Sequence, residues 1–194
     1  MKTYLFDIGN VLLAFDFTPA LTSLLGPDSK PNAFLDIIER KDAFESGQVE
    51  VDDYVQWASK LLDFHGTVEE FKHAWRHIFT PILGTWELAE KLKADGHRLI
   101  LYSNTNAIHA IHCLETYSVF EHFDHAVFSH EIGAIKPHPE FFLRSFEKFN
   151  IDPALSYYID DLPENIEAGR SHGLNSHLYS ADRHHELLEW VTTH

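Results

Sequence analysis

The sequence has 194 residues, 44% of them hydrophobic, which is enough for one large core with a smaller appended module. Asp and Glu number 30 against 15 Lys and Arg, and this net charge of −15 argues against nucleic acid or an anionic membrane as the main partner. The single Cys113 excludes an internal disulfide framework and fits a reducing compartment. Because residues 1 to 10 lack a secretory apolar stretch and no apolar run reaches membrane-spanning length, we expect a cytoplasmic protein.

The first predicted elements are a short strand and a helical module. Residues 4–6 are an apolar, partly aromatic run typical of a buried strand, and Asp7 follows it at once. From about residue 16 to 82, apolar residues recur with the period of helices, and no segment has a convincing strand pattern. Thr67 and Glu70 form a capping box that starts one of these helices. We therefore predict an all-helical insert over residues 16–81.

The rest of the chain alternates between strand and helix patterns. Strands are predicted at residues 97–102, 124–128, 155–159 and 175–179, and helices at 85–94, 107–117, 139–149 and 164–172, with a loop at 130–138 and a final helix at 181–194. This order is typical of an α/β fold with a doubly wound parallel sheet. The predicted core therefore comprises residues 1–15 and 82–194.

Polar residues follow the predicted strands at their carboxyl ends. They are Asp7 and Gly9 after the first strand, Ser103 and Asn104 after the second, Lys136 in a later loop, and Asp160 and Asp161 after the fourth. Because the carboxyl ends of parallel strands meet at one edge of the sheet, we expect these residues to lie together. Carboxylates suit Mg²⁺, whereas a hydroxyl, helix N–H groups and an ammonium suit a phosphoryl group. The sequence thus indicates a site for Mg²⁺ and phosphate.

Each of these residues also has a structural interpretation. The alternatives are a turn for Asp7, a helix cap for Ser103 and Asn104, a plain loop for Lys136, and a solvated turn for Asp160 and Asp161. The occurrence of all of them, in order, at successive strand ends favours the site. His109 and His112 near Cys113 resemble a ligand cluster, but helical spacing alone places them on one face, and that interpretation is favoured.

The motifs FDIGNVL, LYSNTN, IKP and IDDLPEN resemble, in this order, the four motifs of the haloacid dehalogenase-like hydrolase superfamily. The resemblance covers the whole chain, and the helical insert stands where that superfamily carries its commonest cap. Segments such as ESGQVEVDDY, KPHPEFF and DDLPENIEAG are similar to small bacterial sugar-phosphate phosphatases, particularly those acting on α-D-glucose 1-phosphate. The resemblance implies a Rossmann-like core with a helical cap, and a Mg²⁺-dependent phosphatase of small phosphomonoesters. We expect a monomer.

The resemblance also implies a role for each site residue. Asp7 would be the nucleophile and form an aspartyl-phosphate that water then hydrolyses. Lys136 would serve catalysis and, with Ser103 and the Asn104 backbone, hold the phosphate. The implied ligands of Mg²⁺ are the Asp7 carboxylate, the carbonyl of Gly9, Asp161 and, directly or through water, Asp160.

Gly9 departs from the pattern of the superfamily. Most of its phosphatases have an Asp at this position, which protonates the leaving group and later activates water, and the loss of a general acid should cost about 10²–10⁴ in rate. An anomeric oxygen is a better leaving group than an ordinary alcohol, so Gly9 favours sugar 1-phosphates. The insert is expected to join the core through two short hinges near residue 16 and residues 81–84, and Asp16, at the first hinge, is a conceivable substitute acid.

Two other functions stay open. Dehalogenases of the superfamily also lack that Asp, attack carbon and need no metal, but they lack an acidic pair like Asp160 and Asp161. A catalytically impaired protein that binds a phosphosugar or a partner is the second alternative, with Gly9 as the lesion. It predicts binding of phosphate and Mg²⁺ without turnover.

The helical insert is expected to set specificity, as a lid that excludes water and contacts the substrate away from its phosphate. Glu45, Gln48, Trp57 and Trp75 are the candidates for this contact. Core packing is the alternative, and the favoured, role for the two tryptophans.

Overall fold

The structure of the protein is a computed structural model that describes residues 1–30 and 32–193. Its strands are β1 (Thr3–Phe6), β2 (Leu13–Phe15), β3 (Phe79–Pro81), β4 (Arg98–Ser103), β5 (His125–Phe128), β6 (Ser156–Asp160) and β7 (Asn175–Leu178). Its α-helices are α1 (Thr18–Leu24), α2 (Ala33–Glu45), α3 (Val51–Leu61), α4 (Val68–Arg76), α5 (Leu83–Ala94), α6 (Ala107–Thr116), α7 (Ser129–Ile132), α8 (Pro139–Phe149), α9 (Pro163–Ser171) and α10 (His184–Thr193). Short 3₁₀ helices lie at Ser118–His122, Pro153–Leu155 and Ala181–Arg183.

A five-stranded parallel sheet in the order β5-β4-β1-β6-β7 forms the centre of the molecule. In the central strand β1, Tyr4, Leu5 and Phe6 are at most 1% exposed. Phe6 pairs with Leu101 of β4 on one side and with Ile159 of β6 on the other. A strand buried on both faces has a continuous apolar sequence, which explains why this run does not alternate.

Helices pack on both faces of the sheet. Phe6 belongs to a cluster on one face that includes Leu92 of α5. Leu5 points to the other face, where its cluster includes Phe141 of α8 and Ile166 of α9. Burial of each such side chain contributes roughly 1.5–3 kcal/mol. The predicted doubly wound α/β fold is therefore confirmed.

Helices α1 to α4 form an insert after the first strand of the sheet, with a core of its own. Phe44 of α2 and Tyr54 of α3 stack with their ring centroids 3.8 Å apart. Leu24 of α1 and Phe71 and Trp75 of α4 belong to the same buried cluster. This arrangement confirms the predicted all-helical cap, because all four helices bury apolar faces against one another.

The prediction that residues 16 to 82 contain no strand is wrong at one end. β3 pairs with β2 in an antiparallel ribbon, with Leu13 opposite Pro81 and Phe15 opposite Phe79. The two strands have three residues each and lie more than sixty residues apart, so neither has a local pattern that identifies it. The ribbon connects the cap to the core, and it pairs residues across the predicted domain boundary. The division into residues 1–15 and 82–194 against 16–81 stays a prediction.

A short helix and a capping box also bear on the predicted elements. The predicted loop at 130–138 begins inside the short helix α7, which Gly133 ends in the left-handed conformation with φ of 73°. The predicted capping box is present, because the Thr67 hydroxyl accepts from the Glu70 N–H and the Glu70 carboxylate accepts from the Thr67 N–H. No helix within residues 1–30 and 32–193 is long and apolar enough to cross a membrane.

Candidate active site

A cavity of about 300 Å³ lies at the carboxyl ends of β1, β4 and β6, beneath the cap. Its wall contains six of the seven residues predicted for the site, namely Asp7, Gly9, Ser103, Asn104, Lys136 and Asp161. The seventh, Asp160, lies behind the wall with no exposed surface. The fold thus brings together all seven residues, from four separate segments of the chain.

Lys136 is the cationic centre of the site and is only 3% exposed. Its Nζ donates to the Tyr102 carbonyl at 2.7 Å and to Asp160 Oδ2 at 2.6 Å, and it lies 3.2 Å from Asp7 Oδ1. Burial alone would lower the pKa of Lys136, but the charges of Asp160 and Asp7 raise it above its ordinary value. The ammonium therefore keeps its charge and serves as a fixed cation beside Asp7.

Asp160 is held by hydrogen bonds on both of its carboxylate oxygens. Oδ2 accepts from Lys136 and from the Tyr158 hydroxyl, and Oδ1 accepts from the Leu162 N–H at 2.9 Å and from Asn165 Nδ2 at 3.0 Å. A buried charge is tolerated when it is paired and hydrogen-bonded in this way. Asp160 therefore acts as the anchor that positions Lys136.

Asp7 is positioned by the backbone at the end of β1. Its N–H donates to the Ile159 carbonyl at 2.9 Å, and its Oδ1 accepts from the Ile8 N–H at 2.8 Å. Burial raises the pKa of Asp7 to about 7, with the charges of Asp160 and Asp161 adding to this effect and Lys136 opposing it. An additional cation near the three carboxylates would restore the ionised form of Asp7.

The residues of the site fit a hard divalent cation. Asp7, Asp160 and Asp161 each offer an oxygen, and these oxygens lie within 4.8 Å of one another. Asn165 also contributes a buried Oδ1 to which no described residue donates, although this side chain lines the cavity. Carboxylate oxygens and an acceptor for a metal-bound water are what Mg²⁺ requires. Asn10, in the left-handed conformation with φ of 52°, donates to Asp161 at 3.0 Å and orients it.

Ser103 and Asn104 connect the end of β4 to the site. The Asn104 side chain binds the Lys136 backbone twice, donating to its carbonyl at 2.9 Å and accepting from its N–H at 2.8 Å. Ser103 is 2% exposed, and its hydroxyl stabilises the ionised form of Asp7. Both residues therefore contact other predicted site residues, as their place at a strand end suggested.

Position 9 has no room for a longer side chain unless a neighbour moves. A Cβ atom built on Gly9 would lie 3.0 Å from the Phe15 ring, which also lines the cavity. The conceivable substitute acid, Asp16, does not line the cavity, and its carboxylate accepts from the Thr18 N–H at 2.8 Å in an exposed position. The Asp16 carboxylate therefore binds the first N–H group of α1 and lies outside the cavity wall.

The cap closes the cavity with charged and aromatic residues. Lys41 and Glu45, one turn apart on α2, line the wall together with Phe17. These three residues also border a second, apolar recess of about 150 Å³ that reaches Tyr54 and Trp75. Lys41 and Phe17 could not be identified from the sequence, because neither an amphipathic helix nor an aromatic residue in a loop reveals what it faces.

The four cap candidates therefore have different surroundings. Glu45 lines the cavity at the strand ends, and Trp75 lines only the apolar recess. Gln48 lies in a separate surface cleft, and the Trp57 ring packs under the Arg40 guanidinium at 4.6 Å. Glu45 is thus the one among these four that faces the predicted nucleophile's cavity.

His109 joins the core to the cap. Asn106 Oδ1 accepts from the His109 N–H, so the Asn106 amide donates to Nδ1, and Nε2 donates to the Trp75 carbonyl at 3.0 Å. Burial lowers the pKa of His109 to about 4, so the ring is neutral. Burial raises the pKa of the Cys113 thiol to about 12. His109 and Cys113 also line the cavity, where the neutral imidazole is hydrogen-bonded to the Trp75 carbonyl and the thiol is protonated.

Comparisons with known proteins are consistent with this geometry. A family model described as haloacid dehalogenase-like hydrolase matches residues 1–173. A D-ribitol-5-phosphate phosphatase of Bacteroides thetaiotaomicron is 25% identical over 187 residues, which cover 91% of this chain and 90% of that protein. A phosphorylated carbohydrates phosphatase of Thermotoga maritima is 27% identical over 123 residues, covering 59% of this chain and 57% of its own length.

Solved structures share the fold. A haloacid dehalogenase family enzyme of Bacteroides thetaiotaomicron, in complex with magnesium and inorganic phosphate, superposes with a TM-score of 0.78 at 23% identity, covering 93% of this chain and 95% of that chain. A haloacid dehalogenase family phosphatase of Thermococcus onnurineus gives a TM-score of 0.67 at 21% identity, covering 91% and 85%.

Proposed function

This chain belongs to the haloacid dehalogenase-like hydrolase family, and from that premise we propose that it is a Mg²⁺-dependent phosphatase of small phosphorylated carbohydrates. The observation that carries the proposal is the buried ammonium of Lys136, 3.2 Å from Asp7 Oδ1, beside two further carboxylates. Phosphoryl transfer depends mainly on positioning and charge neutralisation, and this cluster of fixed charges can provide both. The similar phosphatases named above act on phosphorylated carbohydrates and support the substrate class.

The proposed chemistry gives the side chains of the site the roles that the resemblance to the superfamily implies. The Asp7 carboxylate attacks phosphorus to give an aspartyl-phosphate, and the bond from phosphorus to the alcohol oxygen of the substrate breaks. Water then attacks the same phosphorus, which releases inorganic phosphate and restores Asp7. Lys136 and Ser103 hold the phosphoryl oxygens, and the Asn104 side chain keeps the Lys136 backbone in place.

Asp7 and Asp161 would hold Mg²⁺ together with the carbonyl of Gly9, and the side-chain oxygens of Asp160 and Asn165 would accept from water bound to it. When bound, the ion supplies positive charge that offsets the repulsion between the carboxylate nucleophile and the phosphate. Asp160 would contribute indirectly, because its carboxylate already accepts hydrogen bonds from Lys136, Tyr158, Leu162 and Asn165.

The finer choice of substrate depends on the leaving group. If the acid absent at Gly9 is not replaced, a sugar 1-phosphate such as α-D-glucose 1-phosphate is favoured, because its anomeric oxygen leaves without much help. If another residue supplies the proton, phosphates of primary alcohols become good substrates. Metal-independent dehalogenation is the less supported alternative, because the buried acidic cluster of Asp7, Asp160 and Asp161 suits a cation and a phosphate.

The test is phosphate release from a panel of α-D-glucose 1-phosphate, glucose 6-phosphate and D-ribitol 5-phosphate, with and without Mg²⁺. We expect release by the wild type with Mg²⁺ and background rates for Asp7→Asn, because the amide cannot act as the nucleophile. Asp53→Asn, an exposed substitution on α3, is the matched control and should behave as the wild type. Absence of phosphate release from every substrate, or metal-independent halide release from a haloacid, would overturn the proposal.

A further inference from the structure

The catalytic cavity has one carboxyl group with no assigned role. Among the described residues that line it, the carboxylates are Asp7, Asp161 and Glu45, and the proposed function uses the first two as nucleophile and metal ligand. Gly9 offers no side chain, and Phe15 occupies the adjacent space. An acid for the leaving group must therefore come from elsewhere, and Glu45 is the remaining carboxyl group in the wall.

Glu45 has the surroundings of a functional side chain. It ends helix α2, is 8% exposed as a residue, and its carboxylate lies 3.6 Å from the Lys41 ammonium. No hydrogen bond joins this carboxylate to a backbone group of the described chain. Its partner Lys41 has a side chain that is more than half exposed. An almost buried carboxyl group at a cavity wall, paired with one largely exposed lysine, is available to a ligand.

Glu45 lies across the same cavity from the proposed nucleophile, Asp7. Glu45 comes from the cap, whereas Asp7 comes from the sheet, and both line the same cavity. The Lys136 ammonium, 3.2 Å from Asp7, also acts on the charge of Glu45. Phosphate held at Asp7 and Lys136 would direct its alcohol portion away from the sheet and towards the cap, where Glu45 lies.

We propose that Glu45 is the catalytic acid and base of this enzyme and replaces the group that Gly9 lacks, an inference that rests on the proposed phosphatase function. As the bond from phosphorus to the alcohol oxygen breaks, the Glu45 carboxylic acid gives its proton to that oxygen, and the alcohol leaves neutral. The Glu45 carboxylate then takes a proton from the water that attacks the aspartyl-phosphate. This second transfer restores the acid, and phosphate and Asp7 are released.

The charged groups around Glu45 are compatible with both its protonated and its ionised form. Burial raises the pKa of Glu45 to about 7, Lys41 and Lys136 oppose this shift, and Asp42 adds to it. From α3, the Tyr54 hydroxyl stays protonated because burial and Glu45 raise its pKa. From α6, His109 is neutral and already hydrogen-bonded to Trp75. A general acid is most effective when its pKa lies near the working pH.

The test compares two leaving groups. The variants are Glu45→Gln and, as the matched control, Glu39→Gln, which makes the same change at an exposed position of α2. The substrates are D-ribitol 5-phosphate, whose alcohol oxygen needs a proton, and p-nitrophenyl phosphate, whose phenolate leaves without one. kcat/KM is measured because it reports the transfer to Asp7 and not the later hydrolysis.

For Glu45→Gln we expect kcat/KM for ribitol 5-phosphate to fall by about 10²–10⁴ and kcat/KM for p-nitrophenyl phosphate to fall by less than about tenfold. The wild type should lose kcat/KM for ribitol 5-phosphate above neutral pH, and the residual activity of the variant should lack that decline. Glu39→Gln should match the wild type in both respects.

Other outcomes would overturn the inference while leaving the proposed function intact. An equal loss with both substrates, or a higher KM at an unchanged kcat and pH profile, would assign Glu45 to binding a substrate hydroxyl. Full activity of Glu45→Gln would exclude any role. Circular dichroism melting shows whether Glu45→Gln has a folding defect. If it has one, Glu45→Asp, which keeps a shorter carboxyl group, replaces it and should retain the decline of kcat/KM above neutral pH. Inactivity of the wild type, in contrast, would overturn the phosphatase itself.

Discussion

Four ionisable side chains, Asp7, Glu45, Lys136 and Asp160, are each no more than 8% exposed at the candidate site. Burial removes water from a charge, and only a partner in contact compensates for that loss. Lys136 and Asp160 compensate each other at 2.6 Å, whereas Asp7 and Glu45 are less well paired and have a raised pKa. The carboxyl groups to which we assign the nucleophile and the acid are thus the ones that the fold leaves incompletely neutralised.

The raised pKa of Glu45 predicts a pH-dependent cost for the fold. With a pKa of about 7 in the folded state against 4.5 when unfolded, the folded chain binds more protons between these values, so stability falls as pH rises through this range. Glu45→Gln removes this contribution, and its free energy of unfolding should decline less from pH 5 to pH 8 than that of the wild type, by about 2 kcal/mol. Urea denaturation at the two pH values without Mg²⁺ measures this difference. Glu39→Gln should follow the wild type, and an unchanged decline in Glu45→Gln would contradict the prediction.

At the scale of elements, the cap is attached to the core by contacts that bypass the short hinges. Helix α6 of the core packs on α4 of the cap, where His109 donates to the Trp75 carbonyl at 3.0 Å. The imidazole also lies against the rings of Phe17, Trp75 and Phe79. Since Phe17 lines the cavity of the candidate site and Trp75 lines the adjoining recess, His109 positions the part of the cap that faces the cavity.

His109→Phe tests this connection while keeping an aromatic ring. The change leaves the Trp75 carbonyl and the Asn106 amide without their partner, which should lower the free energy of unfolding by about 1–3 kcal/mol. The measurement is urea denaturation at pH 8, where the wild-type imidazole is neutral both folded and unfolded, so that titration does not contribute. His125→Phe, on an exposed position of β5, should change stability by less than about 0.5 kcal/mol. Equal effects of the two substitutions would refute the connection.

At the scale of the whole molecule, the parallel sheet collects its functional groups at one edge. Asp7, Ser103, and the pair Asp160 and Asp161 stand at the ends of three neighbouring strands, β1, β4 and β6. Three carboxylates there repel one another, and Lys136 offsets only part of this charge. The site therefore costs the fold some stability until a cation binds.

Mg²⁺ should raise the melting temperature, because it binds the folded carboxylate cluster and not the unfolded chain. At a concentration of about 100 times its dissociation constant the gain is roughly 2.7 kcal/mol, which corresponds to about 5–10 °C for a chain of this size. Differential scanning fluorimetry at pH 8, with KCl at equal ionic strength as the control, measures it. Asp161→Asn should reduce the shift. An identical shift with KCl would show that only ionic screening had acted.

Much of the fold could be predicted from the sequence because its signals are local. A buried run such as residues 4–6, a capping box at Thr67 and Glu70, and polar residues after apolar runs each depend on neighbours along the chain. The ribbon of β2 and β3 could not be predicted, because three-residue strands exist only through a distant partner. The expected monomeric state and cytoplasmic location stay predictions.

For the site, the sequence by itself determined which residues come together, because strands of one parallel sheet must end at the same edge. The resemblance of the first motif to that of the superfamily also identified the missing acid at Gly9, since that position is defined by its distance from Asp7 along the chain. Only the tertiary structure decided that Asp160 anchors Lys136, that Phe15 fills the space beside Gly9, and that Glu45 faces the cavity. These relations join residues far apart in the chain, and they depend on how the cap packs over the sheet.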